Sequence, residues 1–269
     1  MASARIGLSD DELHSLARVS GREPGALADE LAARPWAIHD VLGDPRTVEA
    51  ALHPESVFDA ISPFVLFAVI TRLAADELHD TTFVNDWIGP RSRLPVFDVE
   101  PLQEFVDAPA RVLFVARLLA SMVAPTTGCV PVSAADPWAL LDWVGAVDGE
   151  SRVALLRRLG DAALFLAGVH ADALGPCTVT FDRVDKVARS LDLEADDVLD
   201  LLDVGSVSPG IDALETLGAR WYQAARRSAP SVPPIVADVA ERIRPARRFL
   251  THLADRYLTP LDPDAEFAA

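Results

Sequence analysis

The sequence predicts an all-α protein, a multi-helix globular bundle built around three buried apolar helices. Three observations carry that expectation. Half of the residues are apolar, mostly Ala, Leu and Val with few aromatics, a mix suited to helices packed at short distance. Capping signals precede segments with helical spacing. Three further segments are apolar nearly all round, the pattern of a helix with no face left for water.

The first helix opens at LSDDELHSLARVS. Ser9 stands three residues before Glu12 as a capping box, and Leu13, Leu16 and Ala17 follow at helical spacing. REPGALADELAAR gives a second helix with Pro24 in its first turn, and RPWAIHDVLGD a third, stopped by Gly43-Asp44-Pro45. The three apolar segments are SPFVLFAVITRLAADELHD from Ser62, DAPARVLFVARLLASMVAP from Asp107, and GESRVALLRRLGDAALFLAGVHADAL from Gly149.

Between the first two apolar segments, residues 83–101 hold three prolines and no helical period, so they read as a loop whose aromatics pack down. DPWALLDWV is a short helix with Asp136 as cap and Pro137 at its first position. Val179 and Phe181 alternate with Thr178 and Thr180, which allows at most one short extended segment near residues 177–181. FDRVDKVARSLDLEADDVLDLLD reads helix, turn, helix. Another helix starts from Ser208 and Pro209, and PSVPPIV leads into the last, which Pro245 should kink. The whole reads as one helical domain over 1–258, with a candidate boundary near 175–180, and an extended tail at 259–269.

Charge narrows the surroundings. There are 41 Asp+Glu against 24 Lys+Arg, a net charge of −17, spread along the chain. Such a surface discourages non-specific binding to nucleic acid or anionic membrane. Lys186 is the only lysine and Asn85 the only asparagine, a bias that high-GC coding or a halophilic, salt-rich cytoplasm would produce. High-GC coding by itself does not account for so many acids, whereas a salt-rich cytoplasm does, because screening there removes self-repulsion. The expectation is a halophilic or a high-GC prokaryote, the two not separated by the sequence. The opening residues contain no apolar leader, and no apolar run approaches the length of a membrane span, so a cytoplasmic location is expected. The two cysteines, Cys129 and Cys177, read as reduced thiols.

No motif specifies a reaction. There is no G-x-S-x-G, no phosphate-binding Gly-rich loop and no HExxH, and the six histidines make no Glu-x-x-His pair. No catalytic residue, metal or cofactor is expected. Residues 187–202 have the size of a helix-turn-helix, but the second helix would bring Glu194, Asp196, Asp197 and Asp200 towards phosphates. That disfavours a nucleic-acid binder.

Two groups of residues remain as candidate sites. The first is Arg157 and Asp161, four apart inside an apolar helix, with Arg72 and Arg117 of the other two apolar helices as further partners. A buried carboxylate must be paired or neutral. Such a group is either a small-molecule site or an ion pair that fixes helix register. The second group is for partners. Trp87, Arg91 and Arg93 set an aromatic beside planar cations. Arg244, Arg248, His252 and Arg256 step by four, a stripe about 18 Å long beside the apolar seam of the last helix. In so acidic a chain the stripe should face acids, its own or those of a second copy or another protein. The leading expectation is a non-catalytic binding or regulatory protein acting through protein contacts or as a homo-oligomer. The alternative is a small-molecule-binding enzyme or sensor with a pocket near Asp161.

Overall fold

The structure, a computed structural model, describes residues 8–53, 61–89, 92–123, 136–171, 174, 181–202 and 210–258. In chain order they form α1 (Asp10–Val19), α2 (Pro24–Ala33), α3 (Ala37–Gly43), α4 (Pro45–Leu52), α5 (Pro63–His79), β1 (Val84–Gly89), β2 (Ser92–Val96), α6 (Glu100–Val106), α7 (Pro109–Val123), α8 (Pro137–Leu141), α9 (Gly149–Val169), α10 (Phe181–Leu191), α11 (Ala195–Leu201), α12 (Gly210–Ser228), α13 (Pro234–Glu241) and α14 (Ile243–Leu253). A π-helical turn, Ala254–Leu258, continues α14. The protein is all-α, as composition and patterning predict. No helix among the described residues is long and apolar enough to cross a membrane.

Local chemistry sets the helix starts. The Glu12 backbone N–H donates to Ser9 Oγ at 3.2 Å, and Glu12 Oε2 accepts from the Ser9 N–H at 2.8 Å. Two of the orphan N–H groups that every helix start leaves are thereby engaged. Asp44 ends α3, and its carboxylate accepts from the Arg46 N–H to open α4. Asp136 does the same for Trp138 in α8. The turn between α10 and α11 passes through Asp192 at φ 56°, a left-handed position that Asp tolerates better than most residues.

The chain divides into two compact units at 80/81, 105/106 and 124/125. Residues on both sides of 175–180 belong to the same unit. In the first unit α5 packs along α7, with α3 and α4 also against α5. Leu16, Ile38, Leu42, Phe64, Val69 and Ala116 lie in its core. In the second unit α9 packs along α12 and α14. Glycines allow these close approaches: a Cβ on Gly160 would lie 2.5 Å from Tyr222 Cδ1, and one on Gly168 2.5 Å from Leu250 Cβ. Leu156, Leu159, Leu217 and Trp221 fill that core, and the Trp221 indole N–H donates to Ser190 Oγ at 2.8 Å.

Three details differ from the sequence reading. The stretch read as a loop over 83–101 contains an antiparallel hairpin, pairing Val84 with Val96 and Trp87 with Arg93. Pro95 disguised it, yet β2 is paired on one side only, where a residue without an N–H is tolerated. Phe181 begins α10 rather than ending an extended segment; residues 177–180 lie outside the described residues, as do Cys129, Cys177 and the 259–269 tail. The last helix breaks at Arg242 (φ −117°, ψ 35°) instead of kinking at Pro245. Pro245 cannot donate to the carbonyl four residues back, so the interruption falls one turn before it.

Candidate binding site

The hairpin is fastened to α12 and α14 by buried charges. Asp86 lies on β1 and Arg247 on α14. Arg247 donates from Nη1 to Asp86 Oδ1 at 2.6 Å and from Nη2 to Oδ2 at 3.0 Å. Its Nε donates to Glu215 Oε1 on α12. Arg248 Nε donates to Asp86 Oδ2 at 2.7 Å, and Arg244 Nε to Glu215 Oε2 at 3.1 Å. Arg244 Nη2 also stands 3.5 Å from Asp212 Oδ1. Only 2% of Arg247 is exposed. Burial alone would raise the Asp86 carboxyl, but the hydrogen bonds and charges of Arg247 and Arg248 outweigh it and hold the group below the usual carboxylate range. A recess of about 320 Å³ opens beside the cluster, lined by Trp87, Ile211 and the three arginines.

Other side chains leave the hairpin half in water. Trp87 packs against the core, with the Arg93 guanidinium 3.8 Å from its ring centroid. Arg93 is held in turn by Asp255 of the π-helical turn. Phe83 and Phe97, at the hairpin's open end, are 46% and 72% exposed, and their ring centroids stand 5.8 Å apart. Leu94 on β2 is also exposed.

A second buried cluster surrounds Asp161 on α9. Tyr222 of α12 donates its hydroxyl to Asp161 Oδ1 at 2.8 Å. Arg157 Nε is 3.9 Å from Oδ2, an ion pair beyond hydrogen-bond reach. Burial pushes the Asp161 carboxyl above its ordinary value, against the opposing effects of Arg157, Tyr222 and Arg158. The Tyr222 hydroxyl is pushed well up, first by burial and then by the adjacent carboxyl. An open recess of about 700 Å³ lies along the start of α9, and Arg157 forms part of its wall.

The candidate residues are thus distributed over both units. Arg72 pairs with Asp76, and Arg117 with Glu12 while lying over the Phe64 ring, all in the first unit. Arg157 and Asp161 meet in the second. Of those four, Arg157 lines the 700 Å³ recess. Trp87, Arg244 and Arg248 come together at the charge cluster. Arg93 adjoins them through Trp87, while Arg91 lies outside the described residues. His252 is half-buried on α14, and Arg256 is exposed in the π-helical turn. That turn winds more loosely than an α-helix, so Arg256 falls out of register with the stripe.

Sequence reasoning missed Asp86, Arg247, Glu215 and Tyr222. A signal exists for two of them. Arg247 is four residues from Ile243 and from Thr251, and Glu215 four from Ile211, so each interrupts an inward helix face and demands a partner. Asp86 carries no such mark. Among the described residues no group of three or more His, Cys, Asp or Glu could hold a metal ion. The chain matches no protein-family model, no curated protein and no solved structure.

Proposed function

We propose that this is a non-catalytic binding protein that acts through protein contacts in an acidic, salt-rich or high-GC prokaryotic cytoplasm, and that the hairpin is its contact surface. The observation that carries the reading is the exposed Phe83–Phe97 pair, with Leu94, on a hairpin anchored by the Asp86–Arg247 ion pair. Exposed aromatics cost solvation and are the residue types that dominate binding energy when a partner covers them. Anchoring matters because a rigid platform loses little entropy on association. The absence of any catalytic motif from the sequence supports binding over catalysis.

Charge selects the partner. Asp98 and Glu100 are exposed beside Phe97, and the chain carries −17 overall. Two copies meeting through this patch would bring like charges together. A different protein with apolar side chains flanked by Arg or Lys would gain from the same field.

The test compares the native chain with a Phe83→Ser/Phe97→Ser variant as baits in an extract of the source cells, using quantitative mass spectrometry. The expected result is one partner with a basic, apolar segment that the variant loses while its melting temperature is unchanged. Equal recovery with both baits would overturn the hairpin as contact surface. A dimer by light scattering that the double variant abolishes would instead make the occupant a second copy.

A further inference from the structure

A recess of about 290 Å³ lies where the turn between α10 and α11 meets α12, and no hairpin residue lines it. Its floor is apolar. Leu191 ends α10 in the core, Leu201 of α11 packs against that core, and Leu193 in the turn is 39% exposed. Three charged side chains complete the lining: Asp197 on α11, and Arg220 and Arg227 on α12. The two arginines are close to two helical turns apart, so they share one face. Both are exposed, and among the described residues neither guanidinium makes an ion pair or a hydrogen bond. Arg226 differs from them, donating to the Pro230 carbonyl at 2.9 Å. Asp197 accepts from the Glu194 N–H at 3.4 Å, and a carboxylate has room for further donors. Charges of both signs therefore line one small recess without neutralising each other.

We propose that this recess binds a free apolar α-amino acid, with its carboxylate on Arg220 and Arg227, its ammonium on Asp197 and its side chain on the three leucines. Such a ligand carries an anion, a cation and an apolar group around a single carbon, and the recess offers a counterpart to each. A guanidinium presents paired N–H donors that match the two oxygens of a carboxylate. The leucine floor covers an aliphatic side chain, whose burial supplies affinity that the charged groups alone would lack. Net charge favours the zwitterion over either ion. A chain at −17 repels a free anion, and a free cation finds acids over the whole surface. A neutral zwitterion gains only where both partners stand together. The volume, about 290 Å³, lies at the lower edge of small-ligand sites and suits a single amino acid.

Calorimetric titration of the full chain with four probes tests the site. They are L-leucine, 4-methylpentanoate (no ammonium), 3-methylbutylamine (no carboxylate) and glycine (no apolar side chain). Leucine should bind at least about tenfold more tightly than any of the others. Arg220→Gln/Arg227→Gln should weaken leucine binding by about tenfold or more. Neither side chain holds another group among the described residues, so the melting temperature should stay unchanged. Asp197→Asn keeps an oxygen for the Glu194 N–H, and should weaken leucine while leaving 4-methylpentanoate no weaker. No heat from leucine at millimolar concentration would overturn the site. 4-Methylpentanoate equal to leucine would overturn the role of Asp197, and 3-methylbutylamine equal to leucine that of the arginines. Glycine equal to leucine would overturn the apolar floor. Leucine binding unchanged in the double arginine variant would place it elsewhere. The Phe83→Ser/Phe97→Ser variant should bind leucine as the native chain does, so this site and the hairpin stand or fall separately.

Discussion

Arg247 and Asp86 are 161 positions apart and meet through two parallel hydrogen bonds inside the second unit, one at 2.6 Å and one at 3.0 Å. The pair ties β1 to α14, and Glu215 and Arg248 complete its charge balance. Asp86→Ala would take two hydrogen bonds from the almost fully buried Arg247, leaving it Glu215 alone, and one from Arg248. The expected loss is about 3–5 kcal/mol in urea unfolding. An Asp86→Leu/Arg247→Met variant should lose less, since it removes a buried charge of each sign. A loss below about 1 kcal/mol for Asp86→Ala would show that the hairpin is fastened by other contacts.

The arginines of the stripe should differ in weight. Arg248 is mostly covered and bonded to Asp86, Arg244 is exposed yet bonded to the buried Glu215, and Arg256 is exposed. Replacing each with Gln should lower the melting temperature in the order Arg248, Arg244, Arg256, because screening by water weakens each pair in proportion to its exposure. Equal effects at all three positions would mean that the stripe acts as a unit, as its spacing alone implies.

The helices were legible in the sequence because their signals are local. Ser9 and Glu12, Asp136 and Pro137, and the apolar runs of α5, α7 and α9 need no distant partner to be read. The hairpin was not, because Pro95 and the surrounding charges broke its alternation. At the sites, Arg157 and Asp161 could be paired by their spacing of four. Tyr222 could not be added, since its tie to Asp161 depends on how α9 crosses α12. Arg247 stood in the sequence one place from the stripe. What hid it is the face: Arg247 is buried with Ala246, Leu250 and Thr251, while the regular spacing of the cations marks the neighbouring row.

Gly160 marks that crossing. In Gly160→Ala the new methyl would lie 2.5 Å from Cδ1 of the buried Tyr222 ring. Helix propensity alone would favour Ala by about 1 kcal/mol. The clash should reverse the sign, with a net loss of about 1–3 kcal/mol. Gly218→Ala, whose methyl would meet Ala163 Cβ at 3.3 Å, should cost less. Chemical denaturation of the two variants side by side decides it, and a stabilised Gly160→Ala would contradict the packing described.

Salt should stabilise the protein. At −17 the chain repels itself, and the repulsion is screened once the Debye length falls from about 10 Å at 0.1 M to about 3 Å at 1 M. The melting temperature should therefore rise between low and molar KCl. A flat or falling dependence would count against a salt-adapted surface.

Asp86 and Asp161 should pull the pH profile in opposite directions. Asp86 has a depressed folded-state value, so its contribution is present above the unfolded carboxylate value of about 4 and is lost as pH falls through the folded one. Asp161 has a raised value. Its folded form holds a proton that the unfolded form releases above about pH 4, so stability falls as pH climbs from there to the folded value and stays lower beyond it. Asp161→Asn removes that penalty and keeps an oxygen to accept the Tyr222 hydroxyl. Its advantage over the native chain should be largest at pH 8 and shrink towards pH 4. Asp161→Ala also removes the charge but leaves the buried hydroxyl without an acceptor, which should cost about 1–3 kcal/mol relative to Asn at every pH. Melting curves of the three proteins across that range separate the charge from the hydrogen bond. If Asp161→Asn is less stable than the native chain by a margin that grows with pH, the carboxylate is ionised and its pairing with Arg157 outweighs its burial.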